Sequence, residues 1–141
     1  MRILVSACLL GVCCRYDGSG RPCRAVMDLG KEHELVPVCP EQLGGLPTPR
    51  PPAEIQGERV VTCEGRDVTA EYCKGAEEAA RLCRMLRCGR AILKARSPSC
   101  GSEQVYDGSF SGRLVSGDGM TARKLKAMGV PVTTEESLDP G

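Results

Sequence analysis

Tryptophan is absent from the 141 residues, phenylalanine and histidine occur once each, and tyrosine three times. A core must therefore be built from Leu, Val, Ile, Ala and Met. Too few aromatic rings remain for the platforms on which proteins stack successive bases of a single strand. A surplus of one charge is also missing. The 19 Lys and Arg against 18 Asp and Glu leave a formal net charge of +1. Interspersed charges of this kind exclude a broad nucleic-acid footprint and a polybasic membrane patch. No run approaches the roughly 20 apolar residues of a membrane span. Val5-Ser6-Ala7-Cys8 looks like a lipoprotein cleavage box. Only Ile3, Leu4 and Val5 precede it, whereas a secretory segment needs about 7 to 15 apolar residues there. The expectation is a cytoplasmic protein acting on a small molecule, with no membrane and no stable nucleic-acid partner.

Ten cysteines, by contrast, are many for this length. They do not form the framework of a small secreted disulfide scaffold, and in a reducing compartment clustered cysteines serve as ligands or catalysts. Neither Cys-x-x-Cys nor a ferredoxin-type run is present, so any metal site has to be assembled by the fold.

The length suits one compact domain, residues 1–141, able to bury roughly two thirds of its unfolded surface. Strand signals fall at Arg2 to Ser6, Glu34 to Val38, Arg59 to Cys63, Ala91 to Lys94 and Val130 to Thr133. Helix signals fall at Arg24 to Leu29, closed by Gly30, and at Ala70 to Cys88, closed by Gly89. In the second, Cys73, Ala76, Ala80, Cys83 and Leu86 recur on one face. A last helix spans about Thr121 to Met128, ended by Gly129, and one turn is possible at Glu41 to Leu43. Gly11 to Pro22, Pro40 to Pro52 and Ser97 to Gly117 read as loops. The alternation predicts an α/β fold: a single Rossmann-like domain with a mostly parallel sheet flanked by helices.

In such a sheet ligands bind outside the carboxyl ends of the strands. Cys8 follows Ile3-Leu4-Val5, Cys39 follows Leu35-Val36-Pro37-Val38, and Cys100 follows Ala91-Ile92-Leu93-Lys94 within Ser97-Pro98-Ser99-Cys100-Gly101. Their placement predicts that the three thiolates share one rim and hold a metal cluster. Three buried, inert cysteines would look similar in sequence. Cys73 and Cys83 read as core, Cys63 and Cys88 carry no role, and Cys13, Cys14 and Cys23 are spare ligands, a redox pair or neither. His33 reads as a surface residue. Arg50, among prolines, either contacts an anion or braces its loop. Gly117-x-Gly119 is a weak anion-binding signal.

Five blocks give the chain a family resemblance: Ser6-Ala7-Cys8-Leu9-Leu10-Gly11, Arg15-Tyr16-Asp17-Gly18, Pro37-Val38-Cys39-Pro40-Glu41-Gln42-Leu43-Gly44-Gly45-Leu46-Pro47-Thr48-Pro49-Arg50, Ser97-Pro98-Ser99-Cys100-Gly101 and Tyr106-Asp107-Gly108. Over nearly its whole length the chain resembles the thiouracil desulfidases, small iron-sulfur proteins formerly catalogued as a domain of unknown function. The cysteine blocks show no departure, while Cys13, Cys63 and Cys83 are extra.

The resemblance implies a 4Fe-4S cluster held by Cys8, Cys39 and Cys100, with one iron left open. The implied reaction replaces the sulfur of a thiolated pyrimidine by oxygen and releases sulfide. The substrate would be a small thiolated nucleobase or nucleoside. Glu41 is implied as catalytic acid or base, and Ser97 as the hydroxyl that orients substrate or water, with Ser99 and Ser102 as alternatives. Arg15, Tyr16 and Asp17 would close the pocket. Taken alone, Glu41 reads as a helix-start carboxylate, Ser97 as a cap or turn residue, and Asp17-Gly18 and Asp107-Gly108 as turns. The alternative is a structural metal site, or a thiol-redox or sulfur-carrier protein without desulfidase activity.

Overall fold

The computed structural model describes residues 1–138. In chain order the elements are β1 (Arg2–Ser6), α1 (Arg24–Asp28), β2 (Glu34–Val38), α2 (Pro40–Leu43), β3 (Ala53–Gln56), β4 (Arg59–Thr62), α3 (Thr69–Met85), β5 (Arg90–Leu93), β6 (Gln104–Tyr106), β7 (Leu114–Ser116), α4 (Met120–Ala127) and β8 (Val132–Thr134). Four strands make a parallel sheet in the order β2-β1-β5-β8.

Successive side chains of a strand point to opposite faces, and both faces of this sheet are covered. Ile3, Val5 and Ile92 pack with Leu9 and Val26, under the turn Ala7–Leu10 and α1. Leu4, Ala91 and Leu93 pack on the other face with Ala80, Cys83, Ala122 and Leu125 of α3 and α4. The unbroken apolar runs of β1 and β5 follow from this, as the predicted α/β layout requires.

Several boundaries differ from expectation. The buried stripe of α3 is Tyr72, Gly75, Ala76, Ala79, Ala80 and Cys83. Cys73 lies about 100° round the helix from Tyr72 and is exposed, so it is not a core residue. The helix ends at Met85 rather than Cys88. Its closing bonds run from Cys88 N to Cys83 O and from Arg87 N to Arg84 O, which places Arg87, not Gly89, in the left-handed region at φ 53°. Cys88 thereby turns inward and is buried with the core. At α4 the expected residue does serve, with Gly129 at φ 84°. Gly30 does not close α1, which ends at Asp28 and tightens into a 3-10 turn at Leu29–Lys31. The final strand is shifted to Val132–Thr134.

Two hairpins complete the fold. β3 and β4 pair antiparallel, and β6 and β7 do so within the stretch predicted to be loop. The second hairpin has three-residue strands among Gly and Ser, and its one buried position is Val105. No apolar alternation could announce it.

A close crossing of α2 and α3 positions the site. An added Cβ on Gly75 would stand 1.9 Å from the carbonyl oxygen of Pro40, and one on Gly44 would stand 2.0 Å from that of Glu71. Both obstacles are backbone and cannot swing aside. Gly75→Ala should therefore force the two helices apart and destabilise the protein by about 3 kcal/mol, measured as a lower midpoint in urea unfolding. An unchanged midpoint would show that the crossing tolerates a methyl group.

Candidate active site

The carboxyl ends of β1, β2 and β5 meet at one cleft of about 480 Å³. Cys8 reaches it from the turn after β1, Cys39 from the end of β2, and Cys100 from the Ser97-to-Cys100 turn beyond β5. Cys39 occupies the N-cap of α2, and Pro40 opens the helix where no amide donor is needed. Cys8 and Cys100 are buried and Cys39 half-buried. The predicted shared rim is thus present. A separate, open depression lined by Met1, Arg2 and residues 30–34 contains half-buried His33 but no cysteine.

Cys14, left without a role by the sequence, is buried in the same cleft, and its carbonyl accepts a weak bond from the Cys39 thiol at 3.7 Å. Contact with the Cys14 thiol, together with burial, raises the Cys39 pKa well above its ordinary value. Burial pushes the Cys100 thiol up to about 12. The neighbouring Cys39 pulls Cys14 down, but the neighbouring Cys8 and burial outweigh that pull and leave it raised. The raised thiols of Cys39 and Cys100 are consequently protonated near neutrality, and binding a metal through them releases protons. Among the described residues, no three His, Cys, Asp or Glu side chains close tightly enough around one point to hold a single ion. The donor set on the cleft, cysteine thiols, is the kind that holds iron-sulfur clusters.

Glu41, in the first turn of α2, projects into the cleft and is held from two sides. One oxygen accepts a hydrogen bond from the Tyr72 hydroxyl, which the crossing of α2 and α3 brings within reach. The other accepts from Arg50 Nη2 at 3.2 Å. Burial, then the neighbouring Glu41 charge, raises the Tyr72 pKa far above that of a free phenol, so Tyr72 is a donor. Arg50 is buried behind Glu41 and also donates to the carbonyls of Pro47 (3.2 Å) and Cys14 (2.9 Å) and to Thr48 Oγ1 (2.9 Å). It braces the loop and joins the acid/base candidate to the cysteine segment.

Ser97 Oγ accepts from the backbone amides of Ser99 and Cys100, each at 3.0 Å. It shapes the turn that presents Cys100, while its own O–H remains available in the cleft. Ser99 is buried against Thr121 Oγ1 at 2.8 Å and does not line the cleft, nor does Ser102. Arg15 and Tyr16 line it, with the guanidinium 5.7 Å from the ring centre. Asp17 does not: its Oδ1 is taken by the amide (3.0 Å) and hydroxyl (2.6 Å) of Ser19 in a local turn.

Sequence reading missed Glu54, Tyr72, Tyr106 and Phe110, which also line the cleft. The available signal was the scarcity of rings. Tyr16, Tyr72, Tyr106 and Phe110 are all the aromatic residues of the chain, and all four border this one cavity. Of the four basic side chains that line it, two are in ion pairs, Lys94 with Glu135 at 3.1 Å and Arg96 with Glu136, while Arg15 and Arg21 are in none among the described residues.

The chain is similar to known proteins over nearly its whole length. The family model described as 2-thiouracil desulfurase matches residues 3–137, and the chain belongs to that family. YbbK of Bacillus subtilis (strain 168), an uncharacterized protein, is 42% identical over 147 residues that cover 97% of each chain. The solved structure of the [4Fe-4S]-dependent thiouracil desulfidase TudS (DUF523Vcz) superposes with a TM-score of 0.92 at 49% identity, covering 97% of this chain and 92% of that one.

The ion pair behind the cleft makes a stability prediction. Arg50→Ala removes one partner of a pair whose side chains are 3% and 18% exposed. It should lower unfolding free energy by about 3 kcal/mol, at the low end for a broken buried pair because Glu41 keeps some contact with water. An unchanged urea midpoint would show that Arg50 does not secure this wall.

Proposed function

We propose that this desulfurase-family chain, acting as one domain over residues 1–141, hydrolytically removes sulfur from thiolated pyrimidines such as 2-thiouracil. The cofactor is a 4Fe-4S cluster held by Cys8, Cys39 and Cys100. The observation that carries this reading is the meeting, in one cleft, of these three cysteines, a buttressed carboxylate and every aromatic ring of the chain. When bound, a cluster with only three protein ligands supplies an open iron that acts as a Lewis acid toward the departing sulfur.

The chain's own residues have separable tasks. Flat rings at the cleft walls favour a planar heterocycle, which they can stack against while excluding water. Glu41, fixed between Tyr72 and Arg50, is placed to take a proton from the attacking water and return one to the leaving sulfur. The reaction balances as thiocarbonyl plus water giving carbonyl plus hydrogen sulfide. Ser97, with both acceptor positions occupied by backbone amides, can only donate, which suits orienting water or a carbonyl or thiocarbonyl group. Arg15 and Tyr16 flank the entrance. The substrate is a small molecule rather than a folded nucleic acid, and a reducing cytoplasm suits a site of free thiols. No helix among the described residues is long and apolar enough to cross a membrane.

Anaerobic reconstitution with iron and sulfide should give brown protein containing about four irons per chain, which releases sulfide from 2-thiouracil. Colourless protein holding one zinc would contradict the proposal. Cys100→Ala should abolish cluster binding, whereas Cys83→Ala, a change in the core beneath α3, should leave the absorbance and activity in place. Equal behaviour of the two variants would overturn the ligand assignment.

A further inference from the structure

Glu54 is a second carboxylate in the cleft and is unlike Glu41. It sits on the face of β3 opposite Ala53 and Ile55, which pack on the core, and so faces the cleft, yet it is only 9% exposed. Its Oε1 accepts hydrogen bonds from the amides of Gly108 (3.0 Å) and Phe110 (3.1 Å). The Gly108 carbonyl is tied back to β3 by Gln56 Nε2 at 2.8 Å. These bonds fix the loop that carries Phe110 over the cleft.

That latch does not explain the charge. A glutamine at position 54 could accept the same two amide bonds with its single oxygen, without the cost of enclosing a carboxylate. Glu54 forms no ion pair among the described residues, and its Oε2 accepts no hydrogen bond from them although the side chain lines the cleft. A largely enclosed acceptor is therefore left for something that enters the cavity.

We infer that Glu54 is a specificity-determining residue whose free oxygen accepts the ring N–H beside the reacting carbon of the substrate. The inference rests on the desulfidase reading and narrows it to cyclic thioamides carrying an unsubstituted ring nitrogen. Unsubstituted 2-thiouracil presents such an N–H on each side of its thiocarbonyl, whereas the 1,3-dimethylated ring presents none. A site built around a hydrogen-bond acceptor discriminates sharply, because the analogue lacking the donor leaves the buried acceptor unpaired.

Glu54→Gln separates this role from the latch, since the amide oxygen can keep both backbone bonds while the NH₂ group puts a donor where the acceptor stood. Binding of uracil and of 1,3-dimethyluracil to the cluster-loaded protein is measured by calorimetry, alongside sulfide release from 2-thiouracil. Wild-type protein should bind uracil more tightly than the dimethyl compound. E54Q should weaken uracil binding about ten- to hundredfold and raise KM for 2-thiouracil, while leaving cluster absorbance and dimethyluracil binding as they were. The inference is overturned if E54Q binds uracil like wild type, or if it weakens both ligands alike. Should E54Q fail to fold, equal binding of the two rings by wild-type protein overturns it, and preference for uracil supports it. Wild-type protein that binds uracil in a Glu54-dependent manner but releases no sulfide would refute the proposed reaction and not this contact. Sulfide release indifferent to Glu54 would do the reverse.

Discussion

Parallel strands cannot be joined by tight turns; each connection must travel back across the sheet before the next strand begins, and all the carboxyl ends then lie on one edge. The active-site geometry depends on this constraint. Cys8 and Cys39 stand immediately beyond β1 and β2, which pair in register from Arg2 with Glu34 to Ser6 with Val38. Their side chains are brought together by backbone hydrogen bonds and not by any local cysteine motif. Cys100 arrives by a longer route, and the hydroxyl of Ser97 holds its turn in shape. Burial of β1 on both faces anchors the arrangement, because a one-residue slip would reverse every side chain along it.

The rim alone would be a set of thiols; the helix crossing behind it adds a fixed carboxylate, Glu41, which we propose as the acid/base group. Gly44 and Gly75 let α2 and α3 touch backbone to backbone, so a residue of the long helix, Tyr72, reaches a carboxylate on the four-residue one. Arg50 closes the other side. A carboxylate that is to move a proton needs a fixed direction, and here Tyr72 and Arg50 supply it. The second hairpin completes the cavity from above: Tyr106 and Phe110 descend from it, latched by Glu54 of the first hairpin.

Much of this was legible before folding. The double-sided apolar runs announced the sheet, and the recurrence of cysteine after three of them announced the rim. Glu41 and Ser97 were nameable only through the family blocks, since a carboxylate at a helix start and a serine in a turn are commonplace. Other features could not be read because their signals are not local. Cys73 matches a helical period as well as Tyr72 does, and only the packing of α3 against α2 and β4 decides which turns inward. The β6–β7 hairpin lacks an alternating pattern because one buried valine suffices to seat it. Glu54 follows a run of prolines, and nothing there reveals a cavity. The four aromatic rings, separated by up to 94 positions between Tyr16 and Phe110, gain meaning only when the fold collects them.

The account's central claim is that this rim replaces sulfur by oxygen from water without consuming a redox partner. It is tested most directly by incubating anaerobically reconstituted protein with 2-thiouracil in ¹⁸O-labelled water and analysing the products by mass spectrometry. The account predicts one hydrogen sulfide released for each uracil formed, with a single labelled oxygen at the carbon that carried sulfur. Uracil without the label, or sulfide appearing only when an external reductant is consumed, would contradict it.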